Sequence, residues 1–411
     1  MNLQTCRSCR NSNLTKILDL GFTPPSNALL NKEDLLKGEI HYPLVLLFCE
    51  GCKLVQTQDF HAGEELFTPD YPYLSSTSST WLKHSQLLVN RIVEDFNLDG
   101  NSLVAEVASN DGYLLESLIN QGIPNYGIEP TRDPANISIS KGHKVYCSFL
   151  NSETASRIKR EQGPADVVIA NNVFAHVPDL QDFTNATKSL LSHEGVLIVE
   201  VQNFAQLVKY NLFDTVYHEH YSYFTVTSLY NLLKQYGLGI FKVEFLSTHG
   251  GSIRVFARNN MIPTSLSELI SKSLDDEYKA TSLDELSTFQ ASVNKIKKRI
   301  KDFLYIQNSN GNIIAGLGAA AKGNTLINFL ALGEDDIKFV FDSAPSKQGK
   351  YLPGSHIPIH PFSSISEFTE VSTFITLPWN IGEELARQAY LTQMVRRPIY
   401  RLLPKVELIH T

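Results

Sequence analysis

Basic charge is in short supply in this chain of 411 residues: Lys and Arg number 36 against 43 Asp and Glu, a formal net charge of −7. A nucleic-acid binder needs a basic footprint to displace counterions from phosphates, and none is present. Long apolar runs are missing as well. Stretches such as Leu44–Phe48 fall far short of the ~20 residues that span a bilayer. No basic, apolar and small-residue leader opens the sequence, so a cytoplasmic location is expected. Collagen-like, coiled-coil and disordered readings fail on composition. Cysteines are few, five in all. What remains at this length is a soluble enzyme of two or three domains, each of roughly 100–200 residues with its own core.

Four of the cysteines come in two pairs, Cys6-Arg-Ser-Cys9 and Cys49-Glu-Gly-Cys52, while Cys147 stands alone. In a cytosolic chain such pairs indicate metal ligands before disulfides. Each knuckle turns two thiolates toward one point, Gly51 easing the second turn, and two knuckles complete a tetrahedral S₄ set suited to Zn²⁺. Four thiolates leave no open coordination position, so the ion is expected to be structural. Between the knuckles, Leu18 to Asn27 reads as a loop-rich stretch, and Leu54–Thr57 as a short strand. These place a first domain at residues 1–70. The uncharged, hydroxyl-rich segment Tyr71–Thr80, which carries Tyr71 and Tyr73, suits a lid over a polar ligand and a linker equally. It leads into an amphipathic helix over Trp81–Phe96.

The middle of the chain alternates strands and helices. Leu103–Ala108 runs into Ser109-Asn110-Asp111-Gly112 and a helix over Tyr113–Asn120; Tyr126-Gly-Ile-Glu129 follows, then Asp166–Asn172, a helix near Leu180–Leu191, and Gly195–Glu200. This predicts a doubly wound α/β sheet with ligands at the carboxyl ends of its strands. The first turn lacks the G-x-G-x-x-G of a dinucleotide site. Asp111 places a carboxylate where a pyrophosphate would need a bare helix N-terminus. A ligand with an amino-acid head and ribose hydroxyls fits better, and S-adenosylmethionine is such a ligand. Glu129 is positioned to accept both ribose hydroxyls, Asp111 or Asn110 to hold the ammonium, and Asn171 and Asn172 to line the sulfonium.

Six motifs then stand in a fixed order: the two cysteine knuckles, Glu106-Val-Ala-Ser-Asn-Asp-Gly112, Asn172-Val-Phe-Ala-His176-Val-Pro, Tyr217-His-Glu-His220-Tyr-Ser-Tyr-Phe, His249-Gly-Gly-Ser-Ile-Arg254 and Gly316-Leu-Gly-Ala-Ala-Ala-Lys322. Together they resemble the sugar C-methyltransferases of deoxysugar biosynthesis, including those of the mycarose and tetronitrose branches, across essentially the whole chain. The family often has Gly-Cys or Gly-Ser where this chain has Ala108-Ser109. The resemblance implies a zinc domain, a class I methyltransferase Rossmann-like domain that binds S-adenosylmethionine (residues 71–250) and a second Rossmann-like domain (251–411) that contributes to nucleotide-sugar binding. It implies methylation at C3 of a nucleotide-linked 4-keto-6-deoxyhexose, with dTDP favoured and GDP the other candidate, by a monomer. Cofactor contacts are then expected at Glu106, Ala108, Asn110, Asp111, Gly112, Glu129, Asn171 and Asn172.

C–C bond formation from a sulfonium methyl needs a carbanion, which a sugar carbon supplies only beside a carbonyl. Histidine suits the proton abstraction, and preorganised donors suit the enolate oxygen. By the resemblance His220 is the base. Glu219 would orient an imidazole or contact the sugar, Tyr217 would donate to the substrate, His176 would hydrogen-bond the ketone or its enolate, and Tyr71, with Tyr73, would close the site. A metal site at His218, Glu219 and His220 is the rival reading; no second cluster at metal spacing accompanies it. In the third domain His249 opens a glycine turn that would place amides near the sugar or serve only as a turn. Ser265–Leu304 reads as one or two packing helices. Gly316-x-Gly318 with Lys322 is a strand–glycine loop–helix unit, a candidate for the substrate diphosphate with NAD as the competing ligand. An O- or N-methyltransferase and a non-catalytic zinc-knuckle protein are the alternative functions.

Overall fold

Residues 4–58, 74–271 and 273–410 are described by the computed structural model. Tyr71 and Tyr73, expected at the site, lie outside the described residues. Three sheets organise the rest. The first joins β1 (Leu14–Thr23), β2 (Tyr42–Cys49) and β3 (Val55–Thr57) in an antiparallel order. The ten-residue β1 falls partly in the stretch expected to be loop-rich. Two register shifts, at Lys16/Leu18 and Asp19/Phe22, interrupt its pairing with β2. Such bulges break the period-2 alternation by which a strand is recognised. Partnering with β2, whose Leu44, Leu46 and Phe48 are buried, overrides the weak local pattern.

The central sheet is built from β4 (Val104–Val107), β5 (Asn125–Ile128), β6 (Val145–Tyr146), β7 (Ala165–Asn171) and β8 (Leu191–Gln202). The short β9 (Ser222–Tyr223) leaves this region and pairs with β3, stitching the central part of the chain to the first sheet. The central sheet is completed by β10 (Leu238–Leu246) and β11 (Ser252–Asn259), giving the order β10-β11-β8-β7-β4-β5-β6. Its five strands from β8 to β6 are parallel, and β10 and β11 run antiparallel at one edge. Strands buried on both faces read as unbroken apolar runs, as in Val167-Val-Ile-Ala170, which is inaccessible throughout. A division after residue 250 runs through the β10–β11 hairpin. The His249-Gly250-Gly251 turn links two paired strands, so both flanks stay in the central sheet.

The third sheet has the order β14-β13-β12-β15-β16-β17. Its strands are β12 (Ile314–Leu317), β13 (Phe339–Asp342), β14 (Ile359–Pro361), β15 (Thr373–Thr376), β16 (Ile399–Arg401) and β17 (Glu407–His410), parallel except for the last. Residues 265–304 hold three helices, Leu266–Leu269, Leu274–Ala280 and Leu283–Ser309. One continuous apolar core connects Leu18 and Phe48 of the first sheet, Phe213 and Val216 of the middle segment, and Phe289, Leu326 and Leu377 of the third region. The segment from Phe213 to Tyr223 is therefore gripped from both sides, which fixes the Tyr217–His220 motif in place. Among the described residues no helix is long and apolar enough to cross a membrane.

Candidate active site

The ligand atoms of Cys6, Cys9, Cys49 and Cys52 all lie within 4.8 Å of one another. Two of the edges, Cys6–Cys52 and Cys9–Cys49, measure 3.4 and 3.5 Å, close to the ~3.8 Å edge of a tetrahedron with Zn–S bonds of ~2.3 Å. Both knuckles fold alike: the N–H groups of Arg10 and Lys53 return to the carbonyls of Cys6 and Cys49 at 2.9 Å, and both residues are left-handed, with φ 60° and 66°. Gly51 is not the left-handed residue of its knuckle; a Cβ there would lie 2.8 Å from Asn11. Crowding against Cys49 pushes the Cys6 thiol up to about 12 and raises Cys52 too, burial adding to both. Such a cluster accepts four thiolates only around a cation. Among the described residues it is the one group of three or more His, Cys, Asp or Glu side chains close enough to hold a metal.

At the carboxyl end of β4 the chain turns sharply, with Ala108, Asn110 and Gly112 at φ 56°, 49° and 82°. The last of these admits only glycine comfortably, because a Cβ would fall 2.1 Å from His143. Asn110 N–H donates to Glu129 Oε2 at 2.8 Å, and the Thr131 N–H and hydroxyl donate to Oε1. Burial nevertheless holds Glu129 above the usual carboxylate range, against these donors. Asn110 Oδ1 accepts from Ser75 N–H at 2.8 Å, tying the entry to the Ser79–Asp95 helix onto this turn. Burial lifts Glu106 well above the ordinary range while Tyr113 pulls it the other way. Asp111 is 1% exposed, with Lys141 Nζ 3.6 Å from Oδ2 and no partner for Oδ1 among the described residues. Both amide atoms of buried Asn171 also lack a partner there. Asn172, left-handed at φ 54°, donates its N–H to Glu200 O. Orphaned buried polar groups call for a ligand, and an ammonium at Asp111 beside hydroxyls at Glu129 matches the donors and acceptors present.

The side chains of Tyr217–His220 diverge. His218 turns to Tyr42 O of the first domain at 3.3 Å. Glu219, 2% exposed, accepts from Asn27 Nδ2 through both oxygens, at 2.9 and 2.7 Å. This disposition does not gather His218, Glu219 and His220 round one metal. His220 Nδ1 donates to Thr215 O at 3.0 Å, and its Nε2 accepts from the Tyr217 hydroxyl at 2.7 Å. His176, from the turn after β7, donates Nδ1–H to Glu219 O at 2.8 Å and meets the His220 ring edge-on at 4.6 Å. Burial, then the neighbouring His176, holds His220 well below its ordinary value, and burial takes His176 down to about 4. Carbonyl oxygens only accept, so both neutral imidazoles carry their proton on Nδ1 and present an Nε2 lone pair. In this tautomer His176 accepts a hydrogen bond rather than donating to a ketone.

His249 is left-handed at φ 54° and packs 5.5 Å from Trp81; burial and Lys322 lower it to about 4. Beneath that turn Glu200 binds His84 at 2.9 Å and Arg254 at 2.6 Å, partners that hold it low against the upward pull of burial. In the third region Gly316 and Gly318 pack against Leu377 and Pro378. Ala319 N–H already donates to Asp342 Oδ2 at 2.7 Å and Ala319 O accepts from Lys347. From this unit the charge of Lys322 reaches His220 and His249. Thr325, one turn further along the same Ala321–Leu330 helix, donates to Val216 O at 3.0 Å and meets Ser26 at 3.2 Å, so all three regions converge here.

Three family models match the chain in succession: "Putative zinc binding domain" over residues 6–67, "Methyltransferase domain" over 84–243 and "C-methyltransferase C-terminal domain" over 247–397. The C-methyltransferase NovU of Streptomyces niveus is 31% identical over 386 residues, 93% of this chain and 91% of that protein. The chain belongs to the C-methyltransferase family. The resemblance to sugar C-methyltransferases carried by its ordered motifs holds. Two of the solved structures that it resembles cover less than half of this chain. Magnesium protoporphyrin IX methyltransferase of Synechocystis PCC 6803 with bound SAM is 19% identical over 43% of this chain and 79% of that one, with a TM-score of 0.34. A SAM-dependent methyltransferase of Archaeoglobus fulgidus is 14% identical over 43% and 94%, with a TM-score of 0.35. As a family member the protein is an S-adenosylmethionine-dependent methyltransferase with a zinc-binding first domain; the turn after β4 fits that cofactor and the four cysteines fit that ion.

Sequence reasoning missed Asn27, Asp214, the Thr215 carbonyl and Ser75. Asn27 was visible as the end of a Pro-Pro-Ser-Asn turn, but nothing local to it announces a partner 192 residues away.

Proposed function

We propose that this enzyme methylates C3 of a nucleotide-linked 4-keto-6-deoxyhexose, carried by dTDP or GDP, through a base-generated enolate, as a cytoplasmic monomer in deoxysugar biosynthesis. The observation that carries the reading is the tautomer of His220. With Nδ1–H committed to Thr215 O, its basic lone pair is Nε2, in a water-poor pocket beside His176. A low pKa keeps that nitrogen unprotonated at neutral pH but weakens it as a base. A carbon already acidified by a neighbouring carbonyl needs only such a base. C3 beside a C4 ketone meets that requirement, whereas an isolated hydroxyl or amine gains nothing from enolate-forming machinery.

In this reading Glu106, Ala108, Asn110, Asp111, Gly112, Glu129, Asn171 and Asn172 hold S-adenosylmethionine, which when bound supplies an electrophilic methyl group. Tyr217 hands its hydroxyl proton between His220 and the sugar's hydrogen-bonding groups. Glu219, fixed by Asn27, and His176 accept from sugar hydroxyls, and Tyr71 with Tyr73 closes the pocket. His249 and Lys322 belong to the substrate side, the Gly316–Gly318 turn serving to carry Lys322 there. The test is incubation with a ¹³C-methyl donor and a small panel of 4-keto-6-deoxy nucleotide sugars. A quaternary or tertiary C3 methyl in the product NMR spectrum is expected, and a methyl on oxygen or nitrogen would overturn the proposal.

A further inference from the structure

Both imidazoles of the site spend their N–H on main-chain carbonyls, and the Tyr217 hydroxyl is engaged with His220. Among the described residues, an enolate forming beside them has a base but no further side-chain N–H of these imidazoles to serve its oxygen. Lys322 lies on the helix whose Thr325 donates to Val216 O at 3.0 Å, next to Tyr217. It lies on the first turn of the Ala321–Leu330 helix, with Nζ 5.3 Å from the centre of the Trp379 ring and donating to Asn380 Oδ1 at 3.2 Å. The far edge of that indole abuts Gly250, next to His249, where a Cβ would lie 2.2 Å from the ring. On its other side is Asp214, fully buried in the turn whose next residue, Thr215, anchors His220. Among the described residues the hydrogen-bond acceptor Lys322 meets is a neutral amide. Burial lowers it, with Asp214 opposing, and its charge is felt at both His220 and His249. Lys322 is half-buried and makes no ion pair with Asp214 among the described residues, and an ammonium partly withdrawn from water favours an anion beside it.

We propose that Lys322 is the electrophilic residue of the site: its ammonium donates to the C4 oxygen of the sugar and stabilises the enolate. The assignment rests on the enolate reading above. As His220 Nε2 takes the C3 proton, the C3–H electrons form the C3=C4 bond and the carbonyl π electrons move onto oxygen, where Lys322 holds them without giving up a proton. When the C3=C4 pair bonds to the methyl carbon, the methyl–sulfonium bond breaks with its electrons leaving on a neutral thioether sulfur, and the oxygen pair returns to regenerate the ketone. The turn that carries Lys322 is closed to phosphate by Asp342 on Ala319 N–H, so this lysine serves the hexose rather than the diphosphate.

The test uses the full-length enzyme without methyl donor, in D₂O, with a 4-keto-6-deoxy nucleotide sugar, and follows C3 deuteration by NMR. Affinity for the free nucleoside diphosphate is measured alongside by calorimetry. Lys322→Met should slow exchange at saturating sugar by about 100–1,000-fold, the range for losing one preorganised donor, with diphosphate affinity unchanged. Asn380→Asp, which leaves the lysine charged but engages its ammonium in an ion pair, should slow exchange in the same direction. Lys347→Met, on the far side of the turn, should not. Normal exchange in Lys322→Met, or loss of diphosphate affinity with exchange intact at saturation, would overturn the assignment alone. Absence of exchange in the wild-type enzyme would overturn the enolate reading and the assignment with it.

Discussion

Two strand–turn–helix units share one topology in this chain and differ in what fills the turn. After β4, the turn from Ala108 to Gly112 is ringed by Glu106, Asp111 and Glu129, and leaves Asp111 Oδ1 and the Asn171 amide without partners among the described residues. After β12, the turn from Gly318 to Lys322 is closed on itself. Asp342 accepts from Ala319 N–H and Ala344 N–H, and Lys347 binds Ala319 O. The first leaves buried acceptors that suit a ligand with cationic and hydroxyl groups; the second is a satisfied loop that exports one lysine. The topological switch point of an α/β sheet marks where a ligand can bind, and only the polar bookkeeping at each turn decides whether one does. The difference also divides the site by charge. In the proposed function carboxylates surround the cofactor side, and Lys322 with its imidazoles forms the substrate side.

The sharpest way to break this comparison is to remove the corresponding carboxylates. Glu129→Ala should weaken S-adenosylmethionine binding by about 100-fold, the scale of losing charge-assisted bonds in a buried site. Asp342→Ala should leave that affinity within about twofold and instead cost about 1–2 kcal/mol of stability, because two N–H groups lose their acceptor. Calorimetric titration and urea denaturation of the two variants decide it. Equal losses of cofactor affinity would mean that both turns bind ligand.

The charge division makes a second prediction. In the proposed reaction His220 is a neutral base, and it is held well below its ordinary value by burial and then by His176 and Lys322. Activity is lost only as pH falls through that lowered value, so kcat should stay flat from pH 7.5 down to about 6.5, the ordinary histidine value. An acid limb centred at or above 6.5 in the pH–rate profile would contradict the electrostatics described for the substrate side.

The smallest expected effect refines the first turn alone. Ala108 sits at φ 56°, a conformation that suits glycine and strains alanine by about 1 kcal/mol. Ala108→Gly should therefore be neutral to stabilising, by up to about 1 kcal/mol, in thermal unfolding, with cofactor affinity retained.

Much of this was legible in the sequence where chemistry is local. Val104–Val107, Ala165–Asn171 and Phe339–Asp342 announce themselves as apolar runs, and two CxxC knuckles can do little but meet. The position of Glu129 directly after a strand was legible too. What failed depended on partners far away in the chain. The β1 strand was hidden by two bulges and revealed only by β2; β11 was assigned across a hairpin from the sheet that owns it. The imidazole tautomers could not be read from a string of letters, because they are set by the Thr215 and Glu219 carbonyls. Nor could the self-closure of the second turn, which hangs on Asp342, 23 residues beyond Ala319. A glycine motif shows that a backbone can approach a phosphate, and says nothing of whether a side chain has already taken the place.

The most direct measurement is deuterium uptake at C3 of a 4-keto-6-deoxy nucleotide sugar in D₂O without methyl donor, compared between the wild-type enzyme and His220→Ala. The wild type should exchange that position alone, and the variant should bind both substrates yet exchange at no more than about one-hundredth of the rate. Undiminished uptake in His220→Ala, or none in the wild type, would contradict the account.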